Sequence, residues 1–98
     1  MEKFILKKSN RKGKRYEIVM PKYGHSHHFA SDVGKTYIAH KDDKKKKAWF
    51  ARHKNDKNFN SLHSGIYHSK ELLWTEPTLE TAIKRYEKKH NVNVVNKT

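Results

Sequence analysis

Residues 40–54 read His-Lys-Asp-Asp-Lys-Lys-Lys-Lys-Ala-Trp-Phe-Ala-Arg-His-Lys, and that order suits one backbone form. The spacing predicts a helix over 42–54 with a broad cationic side and a narrow aromatic one. Asp42 and Asp43 lead while Arg52, His53 and Lys54 trail, which matches the positive and negative ends of a helix dipole. Asp42 with Lys46, and Asp43 with Lys47, stand as acid-first i,i+4 pairs worth about 0.2–0.5 kcal/mol each. Trp49, Phe50 and His53 fall on one side, and Lys44, Lys47 and Lys54 on the other. A helix so charged needs a negatively charged neighbour more than it needs a substrate.

The remaining segments supply a small core. Phe4-Ile5-Leu6 and Tyr16-Glu17-Ile18-Val19-Met20 are β-rich runs around a basic loop containing Gly13, the signature of a hairpin. Tyr16, Ile18 and Met20 share one face of the second strand, and Pro21 ends it. Residues 25–30 suit a third strand, with His27 and Phe29 on one face and His28 and Ala30 on the other. Residues 31–35 read as a turn, and 36–39 as either extended or leading into the helix. After a polar connection over 55–64, Ser64 suits the cap of a short helix carrying Ile66, Tyr67, Leu73 and Trp74. The clearest helix follows Pro77: Thr78 caps it, and Leu79, Ala82, Ile83 and Tyr86 keep the i, i+3, i+4, i+7 spacing of one buried face. Val92 and Val94 alternate with asparagines and suit either a last edge strand or a frayed tail. These elements predict one α+β domain over 1–98, a small antiparallel sheet packed against two or three helices.

Only 34% of the 98 residues are apolar, so the core is thin and stability modest or completed by a partner. Lysine and arginine number 23 against 10 acids, a net charge of +13. A field of that sign attracts DNA, RNA, anionic lipid or an acidic protein face. Nineteen of the 23 cations are lysines. Lysine is a hydrated point charge, whereas arginine is the better base reader, so the balance favours charge neutralisation over sequence readout. With no cysteine, disulfides, thiolate metal sites and cysteine catalysis are excluded. That is compatible with a reducing cell interior. No apolar run is long enough to span a bilayer, and no signal-peptide pattern opens the chain.

Two clusters are candidate polyanion or partner contacts. One is the helix set Lys44, Lys45, Lys46, Lys47, Arg52 and Lys54. The other is the hairpin set Arg11, Lys12, Lys14 and Arg15. Each competes with the plain reading of a solvated basic surface. The eight histidines, including His25, His27 and His28, read as surface or packing groups. No thiolate assists them and no His-Glu-x-x-His spacing occurs, so no metal is expected. A ββα-metal nuclease would need His27 or His28, Asn58 or Asn60, and His63 or His68 in roles whose spacing and flanking acids are absent. No glycine-rich phosphate loop, carboxylate pair or serine nucleophile motif is present, and neither catalytic residue nor cofactor is expected. Tyr16, Tyr37, Trp49, Phe50, Tyr67, Trp74 and Tyr86 mostly occupy periodic apolar positions, which favours packing over base stacking.

The order His28-Phe29, Asp32, Thr36, His40-Lys41-Asp42, Lys45, Trp49, Arg52-His53, Gly65-Ile66-Tyr67, Leu72-Leu73-Trp74, Pro77 resembles a group of small basic proteins of nucleocytoplasmic large DNA viruses. Ala30 stands where that pattern has glycine, and Ile66-Tyr67 where it has Phe-Trp. The resemblance implies viral origin and a place in the virion, with the host cell interior as the site of assembly. It carries no catalytic assignment. The expectation is a non-enzymatic virion component, such as a minor capsid protein bridging larger subunits, whose cations meet acidic capsid surfaces or packaged DNA. The alternative is a free nucleic-acid-binding protein acting through phosphates. Neither takes a small-molecule substrate or spans a membrane.

Overall fold

Strand formation begins where apolar and polar residues alternate. In the computed structural model, which describes residues 2–98, β1 (Glu2–Lys8), β2 (Lys14–Met20), β3 (His25–Ser31) and β4 (Val92–Asn96) form one sheet in the order β3-β2-β1-β4. β1 pairs antiparallel with β2, and β2 with β3. Phe4 and Leu6, Ile18 and Met20, Phe29, and Val92 and Val94 are all buried, as the period of two requires for one covered face. The other face is half-open. There Glu17 accepts a 2.7 Å hydrogen bond from Ser26 Oγ and lies within 3.6 Å of Lys7 and 3.5 Å of His28. The Ser26 hydroxyl, more than the nearby positive groups, holds the Glu17 carboxyl below its usual range.

The sheet departs from the expected antiparallel pattern at one place. β4 runs parallel to β1, with Glu2 opposite Val92 and Leu6 opposite Asn96, so the sheet is mixed. A parallel neighbour needs a crossover, and the whole of the helical half supplies it. Asn91 at φ 53° ends the preceding helix in the left-handed conformation and turns the chain directly into β4.

The helices cover the buried face. α1 (Tyr37–His40) is a single turn, closed by Lys41 at φ 54°. α2 (Asp43–His53) follows, then α3 (Gly65–Ser69), a π-helical turn over Lys70–Trp74, and α4 (Leu79–His90). Ser64 and Thr78 cap α3 and α4 as expected, accepting from the backbone N–H groups of Tyr67 and Thr81. α4 buries Ala82, Ile83 and Tyr86, and the Tyr86 ring meets Phe4 edge-on at 6.2 Å. Each fully buried large apolar side chain contributes about 1.5–3 kcal/mol. Gly65 lets α3 approach β3: a Cβ there would stand 3.1 Å from the His28 carbonyl oxygen.

Two segments differ from a simple periodic reading. The π-helical turn adds a residue to the helical repeat, so Leu72, Leu73 and Trp74 are all buried in succession. It also buries Lys70 and Glu71, 7% and 2% exposed. Glu71 is held by Lys89 at 3.0 Å, Arg85 at 3.3 Å and Lys70 at 3.8 Å. Lys70 Nζ also donates to Asn60 Oδ1 and lies over the Phe59 and Tyr67 rings. In the polar connection over 55–64, Phe59 is buried and anchors the loop against Trp49 and Phe50.

Candidate nucleic-acid interface

The basic helix takes the predicted form, but its acids do different work. Asp42 is the cap of α2, its Oδ1 accepting from the backbone N–H groups of Lys44 and Lys45. Asp43 Oδ1 accepts from the Tyr37 hydroxyl. The expected ion pairs Asp42–Lys46 and Asp43–Lys47 are therefore absent among the described residues. A carboxylate that satisfies otherwise unpaired helix N–H groups is worth about 1 kcal/mol, more than an exposed i,i+4 pair.

Lys46 is likewise spent inside the protein. Its Nζ donates to the Thr75 carbonyl at 2.8 Å and lies 4.8 Å from the centre of the Tyr37 ring. It ties α2 to the end of the π-helical turn and is removed from the set of free cations. Lys44, Lys45, Lys47 and Lys54 remain exposed, and none forms an ion pair among the described residues.

Trp49 and Phe50 point into the fold. The Trp49 and Trp74 rings stack at 4.8 Å with 9° between their planes, and each is less than a tenth exposed. Tyr37, Tyr67 and Tyr86 are buried too, while Tyr16 and Phe50 pack half-buried on the core. The aromatics are thus occupied with packing and offer few free faces for bases.

On the outer side of that stack, Lys45, Ala48 and Arg52 recur one face along α2. With Lys35, His40 and Trp74 they line a shallow recess of about 380 Å³. Lys35, Arg52 and Trp74 also line a larger cleft of about 510 Å³, so the two form one groove. The larger cleft is completed by Lys14, His28 and the end of β3, by Gly34 and Thr36, and by His53, Gly65 and Ile66. No aspartate or glutamate lines either part. The four cations of the groove therefore have no carboxylate among the residues that line it, and the local field stays positive.

The hairpin contributes through its base. Asp32 N–H donates to the Gly13 carbonyl, and Arg15 Nη2 donates to the Gly34 carbonyl at 2.7 Å. These bonds seat the hairpin beside the 31–35 turn and bring Lys14 to the groove. Arg15 spends one donor on this seating, and Arg11 and Lys12 lie exposed at the tip without lining the groove. Of the sequence candidates, Lys14, Lys45 and Arg52 are therefore brought together. Lys35 is the cation that sequence reasoning missed. It lies in a turn with no periodicity, and only the tertiary fold sets it opposite Arg52. His53, which lines the cleft, is held by Asp56, whose Oδ2 lies 2.6 Å from its Nδ1, while its Nε2 accepts from Arg52 Nε at 3.4 Å.

Of the nuclease-like set, His27 comes beside His63 and His68, at 6.4 and 5.9 Å between ring centres, but the other members are engaged elsewhere. His27 and His28 lie on opposite faces of β3, His28 bonds Ser9 Oγ at 2.7 Å, and Asn60 is taken by Lys70.

A model described as a family of unknown function (DUF5754) matches residues 4–53. The chain belongs to that family. The matched DUF5754 segment takes in most of β1, then β2, β3, α1 and α2, and so contains Lys14, Lys35, Lys45 and Arg52. No curated protein and no solved structure matches the chain. Among the described residues, no helix is long and apolar enough to cross a membrane.

Proposed function

We propose that this protein acts by binding nucleic acid through its phosphates, without catalysis, along the groove lined by Lys14, Lys35, Lys45 and Arg52. The carboxylate-free lining carries this reading. Phosphate contacts supply affinity that is independent of sequence, and lysine serves that role well. The stacked, covered indoles favour backbone contact over base stacking. In the large-DNA-virus setting that the sequence resemblance implies, the ligand would be packaged genome.

Fluorescence anisotropy with a short duplex, measured across salt concentrations, tests the reading. Four phosphate contacts predict a log K against log salt slope of roughly −3.6. The double variant Lys45→Glu, Arg52→Glu is expected to weaken binding at least tenfold and flatten that slope. Absence of binding at low salt, or full affinity in the folded double variant, overturns it. Fractionation of particles provides a second check. Loss of the protein with the genome supports the reading, whereas retention on the outer shell after DNA removal replaces it with acidic capsid surfaces as the partner.

A further inference from the structure

Three histidines converge at the other end of β3. His25 and His27 are two residues apart on the strand and project to one side, opposite Met20 and Ile18 of β2. His63, 38 residues beyond His25, arrives from the 61–64 turn of the long connection. One ring nitrogen from each lies within 4.8 Å of the other two. His25 Nε2 and His63 Nδ1 are only 3.1 Å apart. His27 Nε2 is buried and has no hydrogen-bond partner among the described residues.

We propose that His25, His27 and His63 bind one divalent transition-metal ion of the zinc class, with a fourth position open to solvent. Around a tetrahedral zinc with bonds of 2.0–2.1 Å, ligand nitrogens stand about 3.4 Å apart. The His25–His63 separation is already near that value, and small ring rotations close the other two. An all-imidazole set selects zinc, copper or nickel and disfavours magnesium and calcium, which need oxygen ligands. The rings are held from behind: His68 stacks on His27 at 5.9 Å, and Tyr23 meets His63 edge-on at 5.0 Å. His68 Nε2 is in turn fixed by a 2.8 Å bond to the Leu62 carbonyl. Bound metal would fasten the long connection to the edge strand β3, and its open position would accept water or a small anion. This site is separate from the groove and stands without the nucleic-acid reading.

The test uses the full chain. Co²⁺ and Zn²⁺ are titrated in turn, with cobalt visible absorption and calorimetry as readouts. One equivalent is expected to bind, with the intense cobalt bands of four-coordination. His25→Ala and His63→Ala, both at exposed positions, should each weaken binding at least about tenfold. His90→Gln, outside the cluster, should leave it unchanged. Zn²⁺ should raise the thermal midpoint of the parent protein while Mg²⁺ does not, and the rise should vanish in His63→Ala. Absence of stoichiometric binding, an octahedral cobalt spectrum, or undiminished affinity in folded His25→Ala and His63→Ala overturns the proposal.

Discussion

The π-helical turn and the α2 groove use the same kinds of charge in opposite ways. At the turn, one buried carboxylate, Glu71, is surrounded by Lys70, Arg85 and Lys89. In the groove, no carboxylate is among the lining residues, and Lys14, Lys35, Lys45 and Arg52 form no ion pair among the described residues. The first arrangement is closed within the protein and acts on stability. The second is left open and acts on whatever anion comes near. Net charge alone does not separate these roles; the presence of a local counter-ion does.

Breaking the closed arrangement should have the largest effect. Glu71→Ala leaves Lys70 buried beside two further cations, and loss of one partner of a buried pair costs about 3–5 kcal/mol. Arg85 and Lys89 are partly exposed and recover solvation, so Lys70 dominates the loss. Urea unfolding measures it, and a cost below about 1 kcal/mol would dissolve the contrast. DNA affinity of the folded fraction should not change.

Acid should also find the buried side first. Burial pushes the His68 imidazole down from 6.5 to about 4. Its neutral form donates from Nε2 to the Leu62 carbonyl and faces the Tyr86 hydroxyl through Nδ1. The folded state therefore holds fewer protons than the unfolded one between those values. Stability is complete above pH 6.5 and falls as pH drops toward 4, by a total of about 3 kcal/mol. Metal-free protein unfolded at a series of pH values checks the slope. His68→Leu should reduce it, leaving the contributions of His27 and His90, whose imidazoles burial also pushes down.

The groove should respond to salt and charge with little change in fold. Arg52→Ala is expected to weaken DNA binding several-fold and reduce the salt slope by about 1, with unfolding shifted by less than about 0.5 kcal/mol. Lys46→Ala sharpens the comparison. It should alter stability more than affinity, because its ammonium is already bonded to Thr75. At Ala30, which lines the groove at φ 65°, the effect is expected on stability alone and with the opposite sign. Glycine relieves the left-handed strain but frees the unfolded chain, so Ala30→Gly should stabilise by about 0.5–1 kcal/mol, read as a raised thermal midpoint.

Much of the architecture was legible from local pattern. Thr78 with Leu79, Ala82, Ile83 and Tyr86 specifies α4, and alternation specifies the N-terminal strands. The α+β class follows from both. The parallel pairing of β4 was not legible, because its partner lies at the other end of the chain and carries no matching signal. The π-helical turn was hidden by Lys70 and Glu71, which look like solvent residues until their counter-charges are seen. At the groove, periodicity puts Lys44, Lys47 and Lys54 on the cationic side of α2, whereas the groove takes Lys45 and Arg52 from another strip of that helix. Periodicity cannot reveal that Thr75 captures Lys46 or that Lys35 arrives from a turn. His63 escaped for the same reason, as its neighbours on β3 are distant in sequence.

The parallel β1–β4 ladder also orders events during synthesis. As the polypeptide leaves the ribosome, β1 and β2 can zip together early, yet the outer rim of β1 keeps its peptide groups unpaired until residues 92–96 emerge. Through that interval the nascent sheet presents an open template to other chains. α4, strongly specified by its own sequence, is the element that delivers the closing strand.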